Sequence, residues 1–266
     1  SLNGAGSLSF SPSFTQAGVY NVSFVASDGL LADTQIVAIT VVAMNAKPTL
    51  AAIAPQTVNE GQTLNLRVSA TDPDATIPSL SALNLPVNAT FRDSLNGAGS
   101  LSFSPTFTQA GIYSVSFIAS DGLLADTQIV AITVNAMNAK PVLGLIAAQT
   151  VNEGQTLTLR VSATDPDATI PALSVLNLPL NATFVDSLNG AGSLSFSPTF
   201  TQAGVYNVSF VATDGALADT QIVAVTVVNV NRKPTLAAIA PQTVNEGATL
   251  TLRVSATDPD ATIPAL

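Results

Sequence analysis

Apolar positions along this chain recur with a period of two. Gln62–Thr71 puts Leu64, Leu66, Val68 and Ala70 on one face and Asn65, Arg67 and Ser69 on the other, the pattern of a half-buried strand. Ser100–Ser104 brings Leu101 and Phe103 to one face, and Gly111–Ser120 turns Tyr113, Val115, Phe117 and Ala119 inward. Ala125–Val134 is a long run rich in Thr, Ile and Val. Turn chemistry separates these runs: Glu60-Gly61, Asp72-Pro73, Asn96-Gly97 and Asp121-Gly122. No segment carries a helical period. The pattern predicts an all-β chain of short strands folded as a two-sheet Greek-key sandwich, with about seven strands per unit.

The pattern also repeats at long range. Ser1-Leu2-Asn3-Gly4-Ala5-Gly6-Ser7-Leu8-Ser9-Phe10 recurs from Ser94 and Ser187, and Thr57-Val58-Asn59-Glu60-Gly61 recurs from Thr150 and Thr243, both 93 residues apart. With Lys-Pro as the start of a unit, residues 47–139 and 140–232 are complete repeats. Residues 1–46 are the C-terminal half of one, and 233–266 the N-terminal half of another. The two halves lack the counterpart of Ser81–Asp93. The expectation is a window on a longer linear beaded array. In a variant of that reading, the front half of one chain completes the back half of the next, which gives a head-to-tail, open filament.

Composition narrows the chemistry. The 266 residues include no His, Cys or Trp, and 8 basic against 17 acidic residues leave a net charge of -9. There is no imidazole base, thiolate or disulfide, and no basic footprint for nucleic acid or anionic lipid. No nearly apolar run approaches the ~20 residues of a spanning helix, so no membrane span is expected in this segment. No basic region followed by an apolar stretch opens the chain, so no secretion leader is expected in it. Because every chemical group recurs with the repeat, a single dedicated active site is hard to build, and the expectation is that the chain is not an enzyme. Asp72 and Asp74 are paired carboxylates, but no aromatic sugar platform surrounds them. Gly97-Ala98-Gly99 reads as a hairpin turn rather than a phosphate loop. Arg67, Arg160 and Arg253 fall on an outward strand face.

Several motifs together resemble the immunoglobulin-like and cadherin-like tandem repeats of bacterial surface proteins. They are Asn59-Glu60-Gly61-Gln62-Thr63-Leu64, Ala70-Thr71-Asp72-Pro73-Asp74, Phe103-Ser104-Pro105-Thr106-Phe107-Thr108-Gln109-Ala110-Gly111, Ala119-Ser120-Asp121-Gly122, and the junction Val228-Asn229-Val230-Asn231-Arg232-Lys233-Pro234. Gly111-Ile112-Tyr113-Ser114-Val115 looks like the tyrosine corner of such a domain, with Val115 where the family often has its second Cys. The resemblance covers the whole chain. It implies extracellular stalks, adhesins or fibres, often stiffened by calcium between domains.

Calcium needs six to eight hard oxygen ligands in one place. In such a sandwich Asp72, Asp74 and Asp121 lie at the end where the chain arrives, and Glu60 at the opposite end. A head-to-tail array would then gather Asn45, Asp72, Asp74 and Asp121 at the first junction. The second would gather Glu60, Asn138, Asp165, Asp167 and Asp214. The third would gather Glu153, Asn229, Asn231, Asp258 and Asp260, with an aspartate beyond Leu266. This matches part of the animal cadherin pattern but lacks its Asp-Arg-Glu-type motif. The competing reading makes Asp-Pro-Asp and Asp-Gly simple turn residues. Asn21, Asn88, Asn181 and Asn207 begin Asn-x-Ser/Thr triplets that also occur by composition alone.

The function expected is structural: an extracellular fibre or cell-surface stalk whose partners are neighbouring copies of itself, head-to-tail or lateral. The alternative is an adhesin segment gripping a carbohydrate or a protein on a host or partner cell, which calls for divergent, aromatic-rich loops in one repeat.

Overall fold

The computed structural model describes residues 4–260 and 262–266. Ser1, Leu2 and Asn3 of the first repeat motif lie outside the described residues. The first part of the chain forms a hairpin of β1 (Gly18–Ser27) and β2 (Ala32–Val41). The first complete repeat contains β3 (Thr49–Leu50), β4 (Gln56–Asn59), β5 (Leu64–Thr71), β6 (Ser79–Leu83), β7 (Ala89–Asp93), β8 (Ala98–Phe103), β9 (Gly111–Ser120) and β10 (Ala125–Asn135). The second complete repeat has β11 (Val142–Leu143), β12 (Gln149–Asn152), β13 (Leu157–Thr164), β14 (Ala172–Leu176), β15 (Ala182–Asp186), β16 (Ala191–Phe196), β17 (Gly204–Thr213) and β18 (Ala218–Val228). Beyond it β19 (Thr235–Leu236) pairs with β20 (Ala256–Thr257).

Each complete repeat is a two-sheet sandwich. One sheet has the order β3-β5-β8-β7 and the other β4-β10-β9-β6. The opening strand is broken in two: β3 pairs antiparallel with β5, and β4 crosses to pair parallel with β10. Gln128 holds the break from inside the second sheet. Its Oε1 accepts from the Ile53 amide and its Nε2 donates to the carbonyls of Leu50 and Ala51. The second repeat follows the same plan, with β11-β13-β16-β15 and β12-β18-β17-β14.

The inward positions read from the alternation make the core. Val68, Leu101, Phe103, Val115 and Phe117 are buried, and Phe91 and Tyr113 pack against them. Val68 and Val115 come from β5 and β9, the two strands that a disulfide often links in such domains. Here there is no cysteine, and Val68 and Val115 instead pack into the apolar core between the sheets. The Tyr113 hydroxyl donates to the Gln109 carbonyl at 2.8 Å, and Tyr206 does the same to Gln202 at 2.9 Å, the tyrosine corner expected from the sequence. The chain divides into two compact units, 1–137 and 138–266.

Candidate cation site at the head of each repeat

The Asp-Pro-Asp turn follows the strand that pairs with the repeat's first residues, so it sits beside the incoming linker. The Asp74 amide donates to Asp72 Oδ1 at 2.7 Å, and the Ala75 amide to the Asp72 carbonyl at 3.1 Å. Ala75 takes up a left-handed conformation to close the turn (φ 62°). The linker is tied to this turn: the Ala46 amide donates to Asp74 Oδ2 at 2.7 Å. Asn45 Nδ2 donates to Asp121 Oδ2 at 2.9 Å. The structure thus brings Asn45, Asp72, Asp74 and Asp121 to one end of the repeat. The second repeat has the same arrangement in its own unit: Asn138 to Asp214 at 2.9 Å, the Ala139 amide to Asp167 at 2.6 Å, and the Asp167 amide to Asp165 at 2.8 Å.

These bonds satisfy one oxygen of each carboxylate in the turn. The other oxygens, Asp72 Oδ2, Asp74 Oδ1, Asp165 Oδ2 and Asp167 Oδ1, are buried with no hydrogen-bond partner. A buried carboxylate oxygen without a donor is costly, and each of these two Asp-Pro-Asp turns carries two of them. Asp121 is committed differently. The Leu124 and Leu123 amides, and then Asn45, hold its carboxyl below the ordinary carboxylate range. Asp214 is lowered in the same way by Leu217, Ala216 and Asn138. Among the described residues, no three carboxylates converge into a metal cage. The fit to a cation rests on the orphaned oxygens of each aspartate pair, and the remaining ligands would be water or carbonyl oxygen.

Glu60 and Glu153 stand at the opposite end of their repeats. Glu60 is buried; its Oε1 accepts from the Gln109 amide at 2.8 Å and its Oε2 from the Met137 amide at 2.9 Å. Glu153 accepts from Gln202, Ala203 and Val230. Each glutamate therefore ties the tyrosine-corner loop of its own repeat to the outgoing linker. The motif spacing along the chain places them instead as ligands for a neighbouring repeat, and nothing in the alternation of strands signals this internal role.

At the third Asp-Pro-Asp turn the chemistry changes. The Asp260 amide again donates to Asp258 Oδ1, and the incoming backbone amide, now that of Arg232, donates to Asp260 Oδ2. The Arg232 guanidinium also binds Asp260 Oδ1 through Nε at 3.1 Å and the Pro259 carbonyl through Nη2. The Arg232 amide first, with its guanidinium, holds the Asp260 carboxyl below the ordinary carboxylate range. The guanidinium carbon lies 3.3 Å from the centroid of the Phe200 ring in the preceding repeat. Phe200 reaches that place because residue 154 is glycine: a Cβ there would stand 2.5 Å from Phe200 Cζ. Asn229 and Asn231 are exposed. Strand patterning assigns Arg232 no role, although it stands where the two earlier repeats have Ala46 and Ala139. Lys47 meets Asp126 at 2.7 Å and Lys140 meets Asp219 at 2.8 Å, fastening each Lys-Pro start to its last strand.

Two stretches, 45–133 and 138–226, match the family described as Bacterial Ig domain, and together they cover more than half of the chain. The chain belongs to that family, whose members are non-catalytic modules typical of extracellular proteins. It is 32% identical over 128 residues to chitinase A of Pseudoalteromonas piscicida, a match covering 46% of this chain and 15% of that protein. Among solved structures it is similar to the titin domains Z1Z2 in complex with telethonin (18% identity, 70% of this chain and 99% of that one, TM-score 0.36). It is also similar to an endo-fucoidan hydrolase of glycoside hydrolase family 107 (17% identity, 81% and 34%, TM-score 0.35). Both superpose only loosely. No helix among the described residues is long and apolar enough to cross a membrane.

Proposed function

We propose that this chain is a segment of an extracellular fibre or cell-surface stalk, in which tandem Ig-like sandwiches are held in line at short linkers by bound calcium. The work is mechanical, and the segment carries no catalysis. One observation carries the reading: the buried, unpartnered oxygens of Asp72, Asp74, Asp165 and Asp167, each pair beside an incoming linker already bonded to it. A hard divalent cation is the ligand whose charge and oxygen preference answer that deficit. Asp72 and Asp74, with Asn45 and Asp121 alongside, would hold the first ion; Asp165 and Asp167, with Asn138 and Asp214, would hold the second. Bound there, the ion would fix the pose of the linker and so of the next bead.

Calcium that binds only the folded state must raise stability by linkage. The thermal midpoint of the 266-residue chain is expected to rise when chelator is replaced by millimolar calcium, and Asp74→Asn with Asp167→Asn is expected to abolish the rise. An unchanged midpoint together with no retained calcium in equilibrium dialysis would end the reading.

A second reading, favoured by the similarity to chitinase A, makes the segment a spacer or carbohydrate-gripping module in a larger polysaccharide-acting protein. Retention of the chain on insoluble chitin would favour it; free passage would leave the stalk.

A further inference from the structure

The third Asp-Pro-Asp turn answers the charge deficit with a residue of the chain itself. Ala46, Ala139 and Arg232 occupy the same place before Lys-Pro, and each donates its amide to the second aspartate of the turn that follows. In the first two turns the remaining oxygen of that aspartate, Asp74 Oδ1 or Asp167 Oδ1, is buried and unpartnered. In the third the equivalent oxygen, Asp260 Oδ1, is bound by the Arg232 guanidinium, and the Asp260 side chain is only 6% exposed. A permanent cation sits where the other two turns lack one.

We infer that Arg232 is a built-in substitute for the bound cation, so that the chain has two kinds of joint: cation-dependent ones headed by Ala46 and Ala139, and a self-sufficient one headed by Arg232. This rests on the calcium reading for the first two joints, while the arginine clamp stands on its own contacts. Arg232 grips both sides of its linker. It covers the Phe200 ring of the repeat that ends there and holds the Asp260 carboxylate of the sequence that begins there. The stacking uses the weakly hydrated guanidinium face and leaves its edge free for the carboxylate, a division that lysine cannot reproduce. An array with both kinds of joint would keep some linkers fixed when calcium falls and let others loosen.

The amides of Ala46, Ala139 and Arg232 are matched reporters for a hydrogen-exchange experiment on the full chain. In chelator, the Arg232 amide is expected to exchange about tenfold more slowly than that of Ala139, the ratio given by one additional charged hydrogen bond at the site. Calcium should slow exchange at Ala46 and Ala139 and leave Arg232 unchanged. Arg232→Ala should make the third amide calcium-sensitive, and Ala139→Arg should make the second insensitive. Calcium slowing all three amides alike in the wild type would overturn the inference while upholding calcium binding. Calcium slowing none of them would end the calcium reading, yet slow exchange at Arg232 in chelator, lost in Arg232→Ala, would still uphold the clamp. Equal exchange at Ala139 and Arg232 in chelator would sink the clamp.

Discussion

The octapeptide Leu-Thr-Leu-Arg-Val-Ser-Ala-Thr occurs twice, at 157–164 and at 250–257. In the first place it is the eight-residue strand β13, paired with β16 over Leu157–Ser162 and with β11 over Ala163 and Thr164. In the second only Ala256 and Thr257 form a strand, against β19. The nonapeptide Gly-Val-Tyr-Asn-Val-Ser-Phe-Val-Ala, at 18–26 and 204–212, behaves differently: it is a strand in both places. Its partner follows four residues after the strand, across a turn whose Asp28 or Asp214 accepts the amides of the next residues. The hairpin carries its own pairing, whereas the octapeptide needs a strand from elsewhere in the repeat. Burial separates even the hairpins, for Phe210 is 1% exposed and Phe24 45%. Alternation supplies a face, and only an opposing sheet makes that face a core.

The largest expected difference between the two contexts is at these phenylalanines. Phe210→Ala removes a fully buried ring and should destabilise its repeat by about 3–5 kcal/mol, measured by denaturant unfolding. Phe24→Ala in the same chain should leave that unfolding transition within about 0.5 kcal/mol. Equal effects would mean that the hairpin face is covered in solution.

A smaller contrast follows from the glutamates. Glu60→Ala leaves the Gln109 and Met137 amides without their acceptor and should cost about 2–3 kcal/mol. Glu246, the exposed counterpart in the last segment, should tolerate Ala with no measurable change.

The smallest effect is in the pH dependence. Bonding to Lys47, and then to the Leu50 amide, lowers the Asp126 carboxyl; Lys140 and Leu143 do the same for Asp219. A carboxyl depressed in the folded state contributes stability above its unfolded value, near 3.9, and loses it as pH falls through the folded value. Acid titration below about pH 4 should therefore weaken each complete repeat, and Asp126→Asn should flatten that slope. The change should be modest, because the lysines are half exposed.

Much of the molecule was legible in order along the chain. The inward faces of β5, β8 and β9, the tyrosine corner and the position of the Asp-Pro-Asp turn beside the linker all follow from period-two patterning and turn residues. The broken first strand was less legible, since Thr49–Leu50 and Gln56–Asn59 are too short to show a period, and the choice between sheets is made by β5, β10 and Gln128. Asp126 was hidden in the same way, because its partner Lys47 lies at the other end of the repeat.

The sequence by itself determined that this is a tandem array of all-β units, which residues face inward, and that carboxylates recur at one place in every repeat. Local periodicity and repetition are properties of the chain alone. Tertiary structure decided which of those carboxylate oxygens are left buried without a donor, that Glu60 and Glu153 serve their own repeats, and that Arg232 fills at one turn what the other two leave open. Those outcomes depend on what distant segments place within a few ångströms of each oxygen, and no spacing along the chain encodes that.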